Sequence, residues 1–313
     1  MARTHHLDST QVHYAWDASL PPRLQIDPGD TVIFDTRDAA DRYYSRASTH
    51  ADVLGRGPFR GHPLTGPVRV RGARPGDVLV VDVLDMRPGA DFGWTAIRPG
   101  RGLLPEEDFP KPHLQIWDVS DGTHARSERG IAVPIEAFPG VMGVALDEPG
   151  AHSTMPPRKN GGNMDIKQLT AGSRLMLPVW VDGALFSVGD GHAAQGDGEV
   201  CVTAVEMKAR VTLRFGLQSG RRLAEPQLRT SGPLARGTNT SPHFATTAHS
   251  PDLFAAAQQA TRYMIEHLVR ERGLSREEAY ILSSVAVDLR ISEIVDAPNW
   301  IVSAFLPEGV FVG

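Results

Sequence analysis

The sequence predicts a mainly β protein, with a β-sandwich or barrel-like part over the N-terminal two thirds and a smaller C-terminal α+β part. Its 31 glycines and 24 prolines fall mostly between short apolar runs, as expected of strands joined by tight turns. Two segments, "DPGDTVIFD" (27–35) and "RPGDVLVVD" (74–82), share a Pro-Gly-Asp turn followed by a strand-like run. The composition then changes towards helical patterns. We expect a β-rich domain over 1–217, and a linker and α+β part over 218–313.

The β-rich part contains four clear strand regions. The two segments with the Pro-Gly-Asp turn predict equivalent hairpins in one sandwich. Further strands are predicted in "SRLMLPVWVDGALFSVG" (173–189), interrupted by Pro178, and in "EVCVTAVEMKARVTLRFGL" (199–217). The glycine-rich stretch between these last two regions is therefore predicted to join two strands.

The C-terminal part contains two predicted helices and two strands. "SPDLFAAAQQATRYMIEHLVRERG" has Ser250 as a candidate N-cap and Gly273 as a stop signal. Ser275 and Glu278 have the spacing of a capping box at the start of the next helix. The runs "LRISEIV" and "WIVSAFLP" that follow are typical of strands.

Charge and composition exclude several classes of partner. The chain has 32 basic and 37 acidic residues, a net charge of -5, and no stripe of Lys and Arg that would predict nucleic-acid binding. No apolar run reaches the roughly 18 residues of a membrane span, and the first residues lack an apolar leader, so a cytoplasmic protein is expected. Cys201 is the single cysteine, which excludes an internal disulfide and a Cys-rich zinc cluster. A small-molecule partner is expected.

The stretch "GDGHAAQGDGE" (189–199) is the first candidate site. It interleaves four glycines with Asp190, His192, Gln195, Asp197 and Glu199, more polar groups than a turn requires. The alternative interpretation is a loop histidine with carboxylates that accept hydrogen bonds from backbone N–H groups. Histidine and carboxylates without a thiolate suit zinc at a catalytic site, and manganese or calcium as the oxygen content rises.

Two further segments join this stretch as candidates. In "PPRKNGGNMD" (156–165), two glycines allow a sharp bend, and Asn163 and Asp165 then present an amide and a carboxylate. An Asx-stabilised turn is the alternative there. The third segment is "HPLTGPVRVRGARPGD" (62–77).

These three segments together resemble the acetamidase/formamidase family, the metal-associated group distinct from nitrilase-like amidases. The matching stretches are "HPLTGPVRVRGARPGDVL", "GGNMDIKQL" and "LPVWVDGALFSVGDGHAAQGDGEVCVTAVE", with weaker similarity through the C-terminal helices. The resemblance implies hydrolysis of small linear amides to a carboxylate and ammonia, in a fold with sandwich and barrel-like parts. Residues 36–61 have little that matches, so the substrate preference stays open.

Amide hydrolysis needs an activated water, a stabilised oxyanion and a proton for the departing nitrogen. At the positions that match the motif, we expect Asp165 and His192 to hold a divalent metal ion, with Asp190 as a further ligand or as the group that orients the imidazole. Zinc is the expected metal, with calcium and manganese as alternatives. Glu199 is the candidate general base, and Asn163 and Gln195 are candidate donors to the substrate or oxyanion.

Two other functions stay open from the sequence. Cys201 lies two residues after Glu199, on the same face if both are in one strand, and a cysteine can hydrolyse amides through a thioester. A buried, small hydrophobic role is the commoner use of such a cysteine. The remaining alternative is a non-enzymatic β-sandwich that binds a small ligand and whose metal only fixes the loop.

The C-terminal part also predicts assembly. It is rich in apolar residues for a short segment, and part of this surface is expected to meet a second copy of the chain in a homodimer or larger homo-oligomer. The residues concerned are Tyr263, Leu268, Ile281, Leu282 and Trp300.

Overall fold

The computed structural model describes residues 1–232, 234 and 240–312, and it confirms a mainly β fold with a small helical part near the C-terminus. In chain order the strands are β1 (Thr4–Leu7), β2 (Ala15–Trp16), β3 (Leu24–Ile26), β4 (Thr31–Thr36), β5 (Thr65–Val70), β6 (Val78–Pro88), β7 (Phe92–Ile97), β8 (His113–Asp118), β9 (His124–Arg126), β10 (Ala132–Pro134), β11 (Phe138–Gly143), β12 (His152–Ser153), β13 (Gly161–Asn163), β14 (Arg174–Pro178), β15 (Phe186–His192), β16 (Glu206–Met207), β17 (Ala209–Gln218), β18 (Gln227–Arg229), β19 (His243–Ser250), β20 (Asp288–Glu293) and β21 (Trp300–Pro307). The helices are α1 (Asp52–Gly55), α2 (Leu253–Arg272) and α3 (Arg276–Ala286), followed by a 3₁₀ turn (Glu308–Val310).

The two strands that follow the Pro-Gly-Asp turns occupy equivalent places in one sheet, but neither turn closes the predicted hairpin, because β3 and β5 pair with each other and not with the strands that follow them. The strands after the turns are β4 and β6, and they flank β17 in a six-stranded sheet of order β1-β4-β17-β6-β14-β18. Both pair with β17 in antiparallel register, so that Val211 lies opposite Phe34 on one side and Met86 on the other. All three side chains are buried, so this face of the sheet contributes to the core.

A ten-stranded sheet provides the platform for the site. Its main path runs β10-β9-β8-β7-β16-β15-β11-β13. The antiparallel register places Phe138 opposite His192, His192 opposite Glu206, and Glu206 opposite Trp94. Because directly opposed residues of antiparallel strands project from the same face, these four side chains form one row across β11, β15, β16 and β7.

The predicted strand over 199–217 begins later than expected. Regular pairing starts only at Glu206, and the preceding segment turns through hydrogen bonds from Glu199 N to Gly196 O at 3.2 Å and from Val202 N to Glu199 O at 2.8 Å. Glu199 and Val202 have left-handed φ angles of 43° and 69°, and the turns they form keep this segment out of the sheet. The expectation that Glu199 and Cys201 share one strand face is therefore wrong.

The C-terminal part matches the predicted order of two helices and two strands. Ser275 and Glu278 form the predicted capping box of α3, and Gly273 ends α2 in the left-handed conformation. The N-cap of α2 is Asp252 rather than Ser250, because the Asp252 carboxylate accepts the hydrogen bond from Ala255 N. The strands form a three-stranded sheet of order β19-β21-β20, against which α2 packs.

One hydrophobic core cluster contains residues from both parts of the chain, among them Phe186, Phe215 and Met264. The division at residue 217 stays a prediction. Leu268, Ile281 and Leu282, which were expected on a surface between subunits, are buried within this chain. Among the described residues, no helix combines the length and apolar character needed to cross a membrane.

Candidate functional site

The candidate site is built on β15 and its two neighbouring strands. Asp190 and His192 are two residues apart on β15, and Glu206 lies opposite His192 on β16. Phe138 on β11 packs edge-on against the imidazole, with ring centroids 5.1 Å apart. Asp190, His192 and Glu206 are all buried, although they carry ionisable side chains. Buried groups of this kind require partners or a bound ion.

The imidazole of His192 has a fixed orientation. Its Nδ1 lies 3.0 Å from Gln195 Oε1, and Gln195 Nε2 donates a hydrogen bond to the Asp165 carbonyl at 2.8 Å. Because Oε1 can only accept, Nδ1 carries the proton. The lone pair of a neutral imidazole is then on Nε2, the nitrogen that most often binds metals. Within the described part of the chain, Nε2 has no hydrogen-bond partner.

Two carboxylate oxygens lie next to this free nitrogen. Glu206 Oε2 is 3.3 Å and Asp190 Oδ2 is 3.4 Å from His192 Nε2. Glu206 Oε1 accepts a hydrogen bond from Ala204 N at 3.0 Å, which orients Oε2 towards the imidazole. Glu206 Oε2 and Asp190 Oδ1 have no hydrogen-bond partner among the described residues. The three side chains each offer a ligand atom within 4.8 Å of the others.

These separations fit a metal ion better than a hydrogen bond. A charge-assisted N–H···O bond is about 2.7–2.9 Å long, shorter than either distance. Two ligands that bind zinc at about 2.0–2.2 Å with tetrahedral angles are about 3.3–3.5 Å apart. The donor set of one imidazole and two carboxylates, with buried atoms left without partners, therefore fits a divalent cation.

A second histidine borders the same group. His62 Nε2 is 3.7 Å from Asp190 Oδ2, while His62 Nδ1 is 3.1 Å from Thr154 Oγ1. His62 is buried, and burial lowers its pKa, which favours the neutral imidazole that a metal needs. His62 is thus placed to be a further ligand or to orient Asp190.

Two more carboxyl groups, those of Asp165 and Glu199, lie near the His192 ring. Asp165 Oδ1 is 4.0 Å from His192 Nδ1, and Asp165, His192 and Glu199 each offer an atom within 4.8 Å of the others. The Asp165 side chain is 16% exposed, compared with 1% for His192, and Glu199 is also partly exposed. The Asp165 and Glu199 side is therefore the side that solvent can reach.

The protonation of the cluster reflects its burial and its crowded charge. Burial raises the pKa of Asp165 to about 8 and that of Glu206 to about 7. Burial and the Asp165 carboxylate raise the pKa of Glu199 well above its usual range. Burial would also raise the pKa of Asp190, but positive charge on the His62 and His192 rings outweighs it and lowers that pKa. Although burial opposes it, Glu206 and Asp190 in turn raise the pKa of His192 well above its usual range, so that its Nε2 holds a proton or a cation in the proton's place. Four carboxyl groups compete for few protons, a situation that a bound cation relieves.

Backbone strain marks the same residues. Asp165, Asp190 and Glu199 have φ angles of 48°, 56° and 43°, in the left-handed region that non-glycine residues seldom adopt. Conformations of this kind persist where the surrounding structure enforces them, and they are common at functional sites. Three of them in one cluster support a functional role for it.

A glycine opens space at the centre of the cluster. An added Cβ on Gly140 would lie 2.6 Å from Asp165 Oδ1, 2.7 Å from His192 Cε1 and 2.9 Å from Asp190 Oδ2. These distances are shorter than van der Waals contacts. The missing side chain therefore leaves room beside both carboxylates and the imidazole.

The predicted site residues come together only in part. Asp165, Asp190, His192, Gln195 and Glu199 are in one cluster, and Asn163 lies at the end of β13 with its buried Oδ1 unpaired among the described residues. Asp197 instead accepts a hydrogen bond from Gln168 at 3.3 Å. The roles assigned to these residues stay predictions.

Sequence reasoning missed Glu206 and His62. Both fall inside quoted motifs, Glu206 at the end of "EVCVTAVE" and His62 at the start of "HPLTGP". Glu206 follows strand-like residues, and only the antiparallel register brings it opposite His192. No local spacing carries that information.

The segment 36–61, which matched little, borders the cluster. Tyr44 packs on Trp94, the neighbour of Glu206 in the row, with ring centroids 4.7 Å apart. Phe59 packs against His62 with centroids 4.9 Å apart. This segment therefore forms one wall beside the site.

Cys201 has the surroundings of a structural residue. Its side chain is 0% exposed, and its Sγ lies 3.4 Å from Thr203 Oγ1. Burial raises the pKa of the thiol to about 11, so it stays protonated near neutral pH. The reactive form of a cysteine is the thiolate, and this environment opposes its formation.

Comparison with known proteins matches the whole chain to one family. The model described as "Acetamidase/Formamidase family" matches residues 1–152 and 146–312. The chain is 28% identical over 373 residues to a formamidase of Methylophilus methylotrophus, covering 96% of this chain and 89% of the relative. Among solved structures, a gamma lactamase from Delftia acidovorans has a TM-score of 0.91 at 29% identity, covering 99% of this chain and 93% of that one. An acetamidase from Bacillus halodurans has a TM-score of 0.68 at 34% identity, with coverage of 98% and 99%.

Proposed function

The chain belongs to the acetamidase/formamidase family and is a hydrolase that cleaves the C–N bond of linear amides to a carboxylate and ammonia, and we propose that it uses a divalent metal ion for this reaction. The observation that carries the metal proposal is the unpaired, buried Nε2 of His192 between the carboxylates of Asp190 and Glu206. The ion is zinc in this proposal, with manganese or calcium as alternatives.

We propose Asp190, His192 and Glu206 as the ligands, with His62 adjacent to them. When bound, the ion supplies Lewis acidity, which polarises a carbonyl and lowers the pKa of water towards about 7. The sequence pattern alone placed Asp165 among the ligands. In the present proposal Asp165 is grouped instead with Glu199, because the ring nitrogen nearest to Asp165 is Nδ1, which is already bonded to Gln195.

Glu199 is the proposed general base and acid. Its raised pKa means that it binds a proton more strongly than an ordinary glutamate. That property suits a group that takes a proton from the attacking water and delivers it to the departing nitrogen. Asp165, with a pKa of about 8, keeps a proton nearby at neutral pH, so the two carboxyl groups can share it.

Asn163 and Gln195 have different proposed roles. Asn163 is half-buried, and its buried Oδ1 is unpaired within the described residues, so this oxygen is available to accept a hydrogen bond from a substrate amide. Gln195 was a candidate donor to the oxyanion, but both ends of its amide are already used by His192 and Asp165. We assign Gln195 to the orientation of the imidazole, as second partners of metal-binding histidines commonly do.

The test is ammonia release by the purified protein from formamide, acetamide and propionamide, with metal supplied. Release above a heat-killed control is expected for at least one of them. No release from any amide, together with stoichiometric binding of one of them, would favour the non-enzymatic binding protein instead.

Hydrolysis of a cyclic amide is a second candidate activity. The observation that favours it is the TM-score of 0.91 with the gamma lactamase, against 0.68 with the acetamidase. Because residues of 36–61 pack beside the site, Tyr44 on Trp94 and Phe59 on His62, we propose that this segment sets the substrate preference. A five-membered lactam tested beside acetamide, with product measured as the ring-opened amino acid, separates the two activities.

We also propose a homo-oligomer. The hairpin of β20 and β21 exposes three large aliphatic side chains, Ile291, Ile294 and Val295, and Tyr263 on α2 is also exposed. An exposed apolar patch of this kind is typical of a contact between subunits. Light scattering at micromolar concentration should give a mass of two or more chains, and a monomer mass would contradict the proposal.

A further inference from the structure

One buried serine of α3 makes three hydrogen bonds to the loop that carries Glu199. The carbonyl of Ser284 accepts a hydrogen bond from Gly196 N at 2.9 Å. Its hydroxyl accepts one from Cys201 N at 3.1 Å and donates one to the Thr203 carbonyl at 2.8 Å. The residue is 0% exposed. Ser284 is therefore bonded to the loop on both sides of Glu199.

The loop has little freedom between these bonds. Gly196 is so close to the C-terminal part that an added Cβ would lie 2.0 Å from Val287 O. The hydroxyl of Tyr280, one turn earlier on α3, donates a hydrogen bond to the carbonyl of Val200. The end of α3 and the residue that follows it thus fix the path of the loop from Gly196 to Thr203.

Glu199 depends on this backbone for its position. Within the described part of the chain, its side chain makes no hydrogen bond, and its φ of 43° is one that the residue would leave if the loop relaxed. Its carboxyl group nevertheless lies within 4.8 Å of the atoms that Asp165 and His192 offer. The loop backbone, and not a side-chain contact, brings the carboxyl group to the site.

We propose that Ser284 is a positioning residue that holds Glu199 beside Asp165 for catalysis. The proposal rests on the proposed role of Glu199 as general base and acid. It gives the C-terminal helices a function in the reaction, although they contribute no side chain to the cluster. Misplacement of a reacting group by about 1 Å can cost about 10²-fold in rate.

The neighbouring residue on the same helix is a matched control. Ser283 is also buried, at 2% exposure, but its hydroxyl donates only to the carbonyl of Ala279 within α3, at 2.8 Å. Ser283→Ala and Ser284→Ala therefore remove the same group from the same helix. Only the second change removes hydrogen bonds to the loop, those of the hydroxyl with Cys201 N and the Thr203 carbonyl.

The experiment compares steady-state kinetics and metal content of the two variants, using whichever amide the wild type hydrolyses. Ser284→Ala should lower kcat by roughly 10-fold to 10²-fold, with KM and bound metal near the wild-type values, whereas Ser283→Ala should leave kcat within about twofold. Equal losses in the two variants would overturn the proposal. If Ser284→Ala does not fold, Ser284→Cys keeps the volume with a weaker donor, and full kcat in that variant would also overturn it.

A double mutant shows whether Ser284 acts through Glu199. Glu199→Gln should retain metal and lose about 10²-fold or more in kcat. On that background, Ser284→Ala should cause little further loss, because the group it positions is already gone. A full additional loss would place the action of Ser284 elsewhere and refute the inference. Full activity of Glu199→Gln alone would instead refute the proposed function, whatever Ser284→Ala does.

Discussion

Gln195 Oε1 lies 3.0 Å from His192 Nδ1, and the same side chain donates to the Asp165 carbonyl at 2.8 Å. One amide thus connects the central imidazole to the segment that carries Asp165. Both of its polar ends are used, so it can orient the ring in only one way. The nitrogen left free points at Asp190 and Glu206.

Gln195→Ala should therefore weaken metal binding. Loss of the bond to Nδ1 frees the ring to rotate and to change tautomer, and losing such a partner typically costs 10-fold to 100-fold in affinity. The measurement is the apparent Kd from competition with a chelator. Gln168→Ala is the control, because Gln168 contacts the same loop through Asp197 and not the imidazole. An unchanged Kd for Gln195→Ala would contradict the assigned orientation.

Elemental analysis of two carboxylate variants should distinguish the two ligand sets. If Asp190, His192 and Glu206 hold the ion, Glu206→Gln should lose most of the metal, because one of three proposed ligands is removed. Asp165→Asn should retain it and lose activity. The ligand set expected from the sequence motif gives the reverse result for Asp165→Asn, since Asp165 is then a ligand. Metal retained in Glu206→Gln and lost in Asp165→Asn would restore that earlier set.

The sequence identified Asp190 and His192 as site residues but placed them in a loop, whereas both lie on β15, and the strand register determined the rest of the site. Glycines interleaved with Asp190 and His192 are a local signal, and so are the turns before β4 and β6. Glu206 became a site residue because β16 pairs with β15, and a one-residue change of that register would turn its side chain to the other face. Long-range pairing of this kind leaves no trace in local spacing.

The segment around Glu199 shows a case in which a local sequence pattern predicted the wrong structure. Alternating apolar residues in "EVCVTAVE" predicted a strand, but the chain turns there with two left-handed residues. Contacts with Ser284 and Val287 of the C-terminal part override the local β preference. The helices were predicted well because their caps, Ser275 with Glu278 and the terminal Gly273, act within a few residues.

Cys201 should be unreactive in the native protein. Its thiol is fully buried and its pKa is raised to about 11, so neither access nor ionisation favours attack on a reagent. Titration with a thiol-specific chromogenic disulfide should give close to zero reactive thiols in the folded chain and one after denaturation. Cys201→Ser should stay active. Rapid labelling of the native protein that abolishes ammonia release would instead support Cys201 as the catalytic nucleophile.

Gly140→Ala should damage the site more than the fold. The new methyl group would lie within 2.9 Å of Asp165 Oδ1, His192 Cε1 and Asp190 Oδ2, so the cluster must move to accommodate it. Overpacking of this kind costs about 1–3 kcal/mol, which most folded domains tolerate. The displacement falls on the groups proposed to bind metal and carry protons, so metal affinity should fall, and kcat/KM by about 10²-fold or more.

Gly216→Ala provides the control for that variant. Gly216 is also a strand glycine, in β17, but its added Cβ would meet Val80 at an ordinary 3.5 Å. Circular dichroism should show both variants folded, and only Gly140→Ala should lose metal and activity. Wild-type kinetics and metal content in Gly140→Ala would mean that the space beside this glycine is not where the ion and substrate bind. Equal losses in both variants would mean that any added methyl group in the sheets disturbs activity, and the effect of Gly140→Ala would then not be specific to the site.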